Sequence, residues 1–301
     1  TGQDAGPLFS PVPLMPPPDP MLPIPRFPTP PYFGGTASNG PIWIQQFAAA
    51  LGKPTPLLSL AGGRNYAFIA ATTGPQTPSF LPGVPDMQMQ VQQYLLGNTP
   101  SAGETFVVFG GSNDYFFGQV DPTIPVGNIS TIIQDLHAAG AEKFVVPNLV
   151  PLGSTPAGLA TDPAGLNALT GAHNALLSAE LDNLRQTLGA DIVEVDLASG
   201  FQEILDNPAA FGLTNTTGTA LDIIDDPLNP LFGFPEFPTS VVPNADEYLF
   251  FDGVHPTTVG HGFIAQTAVA AVVPEPASVA IWLLIGLGLA GFSYGRARRK
   301  T

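Results

Sequence analysis

Segments with helical spacing alternate with short apolar runs through the middle of this chain, and this alternation restricts the fold more than any other feature. Apolar residues recur at helical intervals over residues 129–139 and 166–188. Runs typical of strands lie before, between and after these helices, at residues 105–110, 143–147 and 191–197. Strand, helix and strand in succession predict an α/β fold with a parallel sheet.

The rest of the chain holds shorter patterns. Helical spacing over residues 41–51, 87–96 and 201–207 predicts three further helices. Residues 213–248 are interpreted as loop-rich, and we find neither an internal repeat nor a second set of strands. The 301 residues suffice for one α/β domain of good size or two small ones, stabilised without disulfides because the chain has no cysteine.

An acidic residue and a histidine lie three positions apart near the end of the chain, at Asp252 and His255. A serine hydroxyl is a poor nucleophile at neutral pH, so serine hydrolases use an imidazole to accept its proton and a carboxylate to orient that imidazole. Gly253 and Pro256 favour a tight turn that would bring the two side chains together. The alternative is a surface loop that contains one Asp and one His by chance.

A second motif follows the apolar run that ends at Gly110. The next residues are Gly111, Ser112, Asn113 and Asp114, and open α/β sheets place their ligand sites at such strand ends. The side-chain amide of an asparagine there can donate a hydrogen bond to an oxyanion. Ordinary turn composition is the alternative explanation.

Together these motifs resemble the SGNH or GDSL hydrolases. Residues 111–114 match the Gly-x-Asn-Asp block of that family, and residues 252–256 match its Asp-x-x-His block. Further segments resemble the plant-lipase-like branch, and these lie at residues 30–35, 38–43, 51–52, 65–67, 148–156 and 173–174. The resemblance covers residues 1–272, which we interpret as one hydrolase domain.

The resemblance implies a flavodoxin-like, three-layer α/β/α fold and a serine esterase or lipase that cleaves carboxylic esters through an acyl-enzyme. It implies that His255 transfers the proton and that Asp252 orients His255. Asn113, with the backbone N–H groups of Gly111 or Ala70, would stabilise the oxyanion. No cofactor and no metal are implied, and the expected partner at the site is an ester substrate.

Two departures from the family pattern stand out. Members carry the nucleophile in a Gly-Asp-Ser-Leu block, whereas this chain opens with Thr1-Gly2-Gln3, which resembles the remainder of that block. We therefore expect an N-terminally truncated chain that is inactive for want of its serine. In the second block, Ile69 and Ala70 replace the usual glycine pair, and a branched side chain there would crowd the substrate or disfavour a positive φ.

The C-terminal residues carry a separate signal in three parts. Pro274, Glu275 and Pro276 precede an uncharged, mostly apolar run over residues 277–294, and a basic cluster follows at residues 296–300. The run lies at the short end of the roughly 17 to 25 residues that span a bilayer. The cations would stay on the cytoplasmic side, which places the hydrolase domain outside. A buried core helix is the alternative.

This order of motifs resembles the PEP-CTERM sorting signal of Gram-negative bacteria. The resemblance implies that residues 273–301 form a sorting and membrane segment that an exosortase-type enzyme processes near the Pro-Glu-Pro sequence. The protein would then be extracytoplasmic, transiently anchored by a C-terminal transmembrane helix, and afterwards secreted or held at the cell surface.

The charge balance excludes one class of partner. The chain has 9 basic and 24 acidic residues, a net charge of −15, and a protein that binds nucleic acid needs a basic surface. Two function classes stay open, a secreted esterase and a non-catalytic surface or matrix protein that retains a hydrolase fold. A metal site at Asp252, His255 and His261 has no further ligand cluster to support it, and His261 is interpreted as packing at a helix start.

Overall fold

The computed structural model describes residues 31–222 and 240–273. Its helices are α1 (Trp43–Ala50), α2 (Met87–Gly97), α3 (Ser112–Phe116), α4 (Thr123–Ala138), α5 (Pro156–Leu159), α6 (Pro163–Leu188), α7 (Leu197–Asp206) and α8 (Thr258–Val272). Its strands are β1 (Thr105–Val107), β2 (Lys143–Pro147), β3 (Asp191–Val195), β4 (Asn215–Thr219), β5 (Leu221–Asp222), β6 (Ser240–Val241) and β7 (Tyr248–Phe250).

A parallel sheet with the strand order β1-β2-β3 forms the centre of the molecule. Lys143 of β2 is in register with Thr105 of β1 and with Asp191 of β3. The pairing continues past β1, where the N–H of Val108 donates to the carbonyl of Val145 at 3.0 Å. The predicted α/β class with a parallel sheet is therefore confirmed.

Side chains of the sheet alternate between two cores, as the two-residue period of a strand requires. Phe144 and Val146 of β2 face one core with residues of α2, α4 and α6. Val145 faces the opposite core, where Trp43 of α1 and Ala265 of α8 pack. Helices thus cover both faces of the sheet, in the three-layer arrangement that the resemblance implies.

The long helices begin and end at residues with recognisable capping roles. The side chain of Asp162 accepts a hydrogen bond from the N–H of Gly165 at the start of α6, and Pro163 occupies its first turn. Gly189 ends α6 with a φ of 69°, a left-handed conformation that favours glycine. Helix α4 begins six residues before the predicted start, because Pro125 and Gly127 obscure the helical pattern of its first turns.

The prediction that the chain has no second set of strands was wrong, because short strands lie within and beside the loop-rich stretch of residues 213–248. Strand β4 pairs in parallel with β7, and β5 pairs with β6 in an antiparallel ladder. These strands have only two to five residues, so they show no alternation long enough to recognise. They matter for the site because β7 leads directly into Asp252.

The predictions for the C-terminal residues concern a segment outside the part of the chain that the structure describes. The predicted span over residues 277–294 and the motif of Pro274, Glu275 and Pro276 both lie outside the described residues. Within residues 31–222 and 240–273, no helix combines the length and the apolarity needed to cross a bilayer.

Candidate functional site

Asp252 and His255 meet in a tight turn between β7 and α8. Nδ1 of His255 lies 2.8 Å from Oδ2 and 2.9 Å from Oδ1 of Asp252. The turn is closed by the N–H of Phe251, which donates to the carbonyl of His255 at 2.8 Å. Both carboxylate oxygens can only accept, so Nδ1 carries the hydrogen of this contact, and Nε2 is the ring nitrogen that stays available to the site.

The Asp252 carboxylate is fully buried, and hydrogen bonds compensate for the loss of water. The N–H groups of Val254 and His255 donate to its Oδ1 at 2.9 Å and 2.7 Å. The hydroxyl of Tyr32 donates to its Oδ2 at 2.9 Å. Burial, and then the charge of Asp252, raise the pKa of Tyr32 well above its usual value, so the phenol keeps its proton and donates it.

The loop after β1 turns sharply at Gly111, which caps α3 with a φ of 112°. A Cβ atom at this position would lie 2.8 Å from Cε1 of His173. The ring of His173 is fully buried, and its Nδ1 lies 2.9 Å from the hydroxyl of Tyr115. Burial lowers the pKa of His173 to about 4, so the imidazole that packs against the backbone of the loop at Gly111 is neutral.

Three hydrogen bonds join this loop to the segment that follows Ala70. Nδ2 of Asn113 donates to the carbonyl of Ala71 at 2.8 Å. The buried carboxylate of Asp114 accepts from the N–H of Thr73 at 3.0 Å and from its hydroxyl at 2.8 Å. Burial raises the pKa of Asp114 to about 6, although these donors act in the opposite direction. The two family blocks are therefore adjacent in space.

Ala70 adopts the backbone conformation that the family's glycine would supply. Its φ is 58°, the only positive φ of a non-glycine residue in residues 31–222 and 240–273. The side chain of Ile69 is 1% exposed and packs in a core cluster with Tyr32 and Phe251. The branched side chain therefore points into the core, and the unbranched Ala70 tolerates the left-handed region at a modest cost.

Asn113 and His255 line one pocket at the carboxyl ends of the parallel strands. Its volume is about 70 Å³, and most of its wall is apolar. The apolar wall residues are Phe109, Phe116, Val150, Leu152, Leu197, Phe201, Ile204, Leu249, Phe250, Val254, Phe263 and Ile264. Hydroxyls of Ser112, Thr155 and Thr267 also border the pocket.

His261 lies in the first turn of α8 and is 1% exposed. Burial holds its pKa well below the usual value, so the ring is neutral. Neither ring nitrogen of His261 has a hydrogen-bond partner among the described residues. In the same ranges, no group of three or more His, Cys, Asp or Glu residues is arranged to hold a metal ion.

Sequence reasoning missed three residues that shape this site, Tyr32, Thr73 and His173. Tyr32 and His173 lie in segments with family resemblance, but those matches carried no role for either side chain. Thr73 lies just past the second block and had no signal of its own. Each contacts a site residue at least 41 positions away in the chain. Patterns within a few residues of sequence do not predict contacts over such a separation.

Comparisons with known proteins identify the family to which this sequence is similar. Residues 28–268 match the family model of GDSL-like lipases and acylhydrolases. Residues 272–300 match the model of the PEP-CTERM protein-sorting motif. A GDSL esterase/lipase of Arabidopsis thaliana is 29% identical over 277 residues, which cover 78% of this chain and 71% of the plant protein.

Two bacterial relatives extend the comparison. Esterase EstA of Pseudomonas aeruginosa is 32% identical over 180 residues, but these are only 26% of its length and 57% of this chain. A phosphatidylcholine-sterol acyltransferase of Aeromonas hydrophila is 24% identical over 277 residues, which cover 80% of this chain and 81% of that protein. The matched family model spans most of this sequence, so the chain belongs to the family of GDSL-like lipases and acylhydrolases and carries a PEP-CTERM sorting motif at its C-terminal end.

Proposed function

We propose that this protein is a serine-type carboxylic ester hydrolase, an esterase or lipase, that works outside the cytoplasm. The single observation that carries the proposal is that Asn113 lines the same apolar pocket as His255, whose Nδ1 is hydrogen-bonded to Asp252. The names of the relatives add support, because an esterase, an esterase/lipase and an acyltransferase of phosphatidylcholine all act on carboxylic esters.

In this mechanism, a serine Oγ attacks the ester carbonyl carbon while Nε2 of His255 accepts the hydroxyl proton. Asp252 holds the Nδ1–H and stabilises the imidazolium that forms. The imidazolium then gives its proton to the departing alkoxide as the carbon–oxygen bond breaks, which leaves an acyl-enzyme and an alcohol. Water attacks the acyl-enzyme by the same route, and a carboxylic acid leaves.

The oxyanion of each tetrahedral intermediate is assigned to three donors. Nδ2 of Asn113 has two hydrogens, of which one is held by the carbonyl of Ala71, so the second is available for the substrate. The backbone N–H groups of Gly111 and Ala70 are the other proposed donors. Preorganised donors of this kind contribute about 3 to 4 kcal/mol each to the transition state.

We place the attacking serine on a strand that pairs with the second edge of β1. Among the described residues β1 pairs only with β2, and a groove of about 780 Å³ lies along β1 between α1 and α2. Nε1 of Trp43, in the wall of this groove, is buried without a partner in the described part of the chain. A chain without that strand is expected to be inactive.

The pocket beside His255 is proposed to hold the acyl chain of the ester. At roughly 10 to 15 Å³ for each water-sized group, its volume of about 70 Å³ accommodates an acyl chain of about five to seven carbon atoms. Burial of each methylene contributes about 0.8 kcal/mol, so kcat/KM should rise about fourfold per carbon up to that length and then fall.

The sorting motif supports an extracytoplasmic location. We propose that residues 273–301 form a separate segment, which anchors the protein transiently in the membrane until an exosortase-type enzyme cleaves near Pro274, Glu275 and Pro276. The rest of the protein, with its excess of acidic residues, would then act at the cell surface or in the medium of a Gram-negative bacterium. Replacement of the Pro-Glu-Pro sequence by alanines should leave the uncleaved form in the membrane fraction.

The test is hydrolysis of p-nitrophenyl esters from acetate to palmitate by the protein expressed from its intact gene. We expect activity that peaks near hexanoate and disappears in a His255→Ala variant. A Thr267→Leu variant should shift the optimum to shorter chains, whereas the nearly isosteric Thr267→Val should not. A correctly folded protein that hydrolyses none of these esters would favour the non-catalytic surface protein.

A further inference from the structure

The hydroxyl of Tyr32 meets the Asp252 carboxylate across 220 positions of sequence, in a place where water is excluded. Tyr32 is 5% exposed and Asp252 is fully buried. The phenol oxygen lies 2.9 Å from Oδ2, the same oxygen that lies 2.8 Å from Nδ1 of His255. Tyr32, Asp252 and His255 therefore form a continuous hydrogen-bonded row.

The ring of Tyr32 contacts Phe251, whereas its hydroxyl contacts Asp252. The ring packs edge to face on Phe251, with 5.1 Å between the ring centroids, and this contact alone would anchor the segment around Tyr32. The turn is closed by its own backbone, since Val254 and His255 donate to Oδ1. The hydroxyl is therefore not needed to form the turn. It donates to Oδ2, one of the two carboxylate oxygens that lie 2.8 Å and 2.9 Å from Nδ1 of His255.

We propose that Tyr32 is a positioning residue for the Asp252–His255 pair. Its hydroxyl restricts the rotation of the carboxylate, so that both oxygens stay close to Nδ1 of His255, and it withdraws part of the negative charge from Oδ2. A carboxylate with less charge stabilises the imidazolium of the pair less. The catalytic consequence rests on the proposed function, but the effect on His255 does not.

Few other titratable groups in the described ranges act on His255. His261 on α8 is close enough to interact with it electrostatically, but burial holds the pKa of His261 so low that it carries no charge near neutral pH. Asp252 is hydrogen-bonded to Nδ1 of His255, and the hydroxyl of Tyr32 is hydrogen-bonded to Asp252.

The test replaces Tyr32→Phe, which keeps the ring contact with Phe251 and removes only the donor. The matched control is Tyr248→Phe, which removes a hydroxyl from a ring packed against the same core cluster. In the protein expressed from its intact gene, NMR titration should show the pKa of His255 raised by about half to one pH unit in Tyr32→Phe. Turnover of p-nitrophenyl butyrate should lose about tenfold in kcat with little change in KM, and the acid limb of its pH profile should move to higher pH.

The outcomes separate this inference from the proposed function. An unchanged His255 titration, with a kcat equal to that of Tyr248→Phe, would overturn the role of Tyr32. A raised pKa of His255 in a protein that hydrolyses no ester would uphold the role of Tyr32 in the pair and refute the proposed function. Loss of folding in Tyr32→Phe alone, seen as an earlier unfolding transition than in Tyr248→Phe, would show that the hydroxyl is structural and would also overturn the proposal.

Discussion

The Asp252–His255 turn and the Gly111–Asp114 loop border the same pocket, yet they are held in place differently. In the turn, the hydrogen bonds to Oδ1 of Asp252 come from residues two and three positions away. In the loop, Asn113 and Asp114 are held by Ala71 and Thr73, which lie 42 and 41 positions earlier. The proton-transfer pair is thus largely a local structure, whereas the oxyanion loop depends on tertiary contacts.

Because the two parts are held differently, substitutions in the turn should affect mainly the chemistry, whereas substitutions in the contacts of the loop should also affect stability. A substitution within the turn removes a proton-transfer group but leaves the backbone bonds that shape it. A substitution in the contacts of the loop leaves a buried polar group unpaired, which costs about 1 to 3 kcal/mol.

The largest expected effect comes from Asp252→Asn. The asparagine oxygen can still accept the backbone N–H bonds of the turn, but its amide cannot accept the Nδ1–H of His255, so the imidazole takes the wrong tautomer. We expect ester turnover by the protein from the intact gene to fall about 10³ to 10⁴-fold, with an unchanged melting temperature. Asp222→Asn, at an exposed carboxylate, is the control, and equal turnover by both variants would contradict the assignment.

The next effect is a pH dependence of stability that Asp114 supplies. Its pKa is about 6 in the folded protein and 3.8 as the ordinary value, so the folded state binds the proton more tightly. Its stabilising contribution is therefore fully present below pH 3.8 and is lost as the pH rises through 6. The difference amounts to about 3 kcal/mol.

Urea unfolding of the protein and of Asp114→Asn between pH 4 and pH 8 measures this contribution. The asparagine does not titrate, so the free energy of unfolding of the parent, minus that of the variant, should fall as the pH rises. A difference that stays constant over this range would show that Asp114 titrates as an ordinary aspartate.

Thr73→Val tests the tertiary contact of the loop directly. The valine keeps the shape but removes the hydroxyl that donates to Asp114 at 2.8 Å. We expect the free energy of unfolding to fall by about 1 to 3 kcal/mol and kcat to fall roughly tenfold, because Asn113 loses its fixed position. Thr131→Val removes an exposed hydroxyl on α4 and should change either quantity little; a similar loss in both variants would argue against a special role for Thr73.

The smallest effect concerns the backbone at Ala70. A left-handed conformation costs a non-glycine residue about 1 kcal/mol, and glycine removes this strain. Glycine also increases the conformational entropy of the unfolded chain, which destabilises the protein by a smaller amount. Ala70→Gly should therefore raise the free energy of unfolding by about 0.5 kcal/mol. Ala71→Gly, where φ is not positive, should lower it, and the same sign in both variants would disprove strain at Ala70.

Most of the long elements were predictable because their periodicity is strong, but of α8 only a helix start near His261 was predicted. The start and end of β2 at Lys143 and Pro147 agree with the prediction, and so does the end of α6 at Leu188. The first turns of α4 were not recognised, since Pro125 and Gly127 interrupt the pattern. Strands β4 to β7 were missed because two to five residues cannot display a period.

Some features of the candidate site could likewise be predicted from the sequence, and others could not. Asp252 and His255 were identified from three residues of spacing, and the structure brings them together, although their catalytic roles stay a prediction. The concern about Ile69 and Ala70 arose from the sequence, but the buried side chain of Ile69 and the left-handed φ of Ala70 could be seen only in the fold.

The amino-acid pattern was enough to define the α/β class, the order of the main elements and the two motifs that border the pocket, since each depends on spacing within a few residues. The donors to the buried carboxylates were decided by the tertiary structure alone. Tyr32 reaches Asp252 and Thr73 reaches Asp114 because packing of the whole domain excludes water from these carboxylates, and a buried charge must then find its partners wherever the fold brings them.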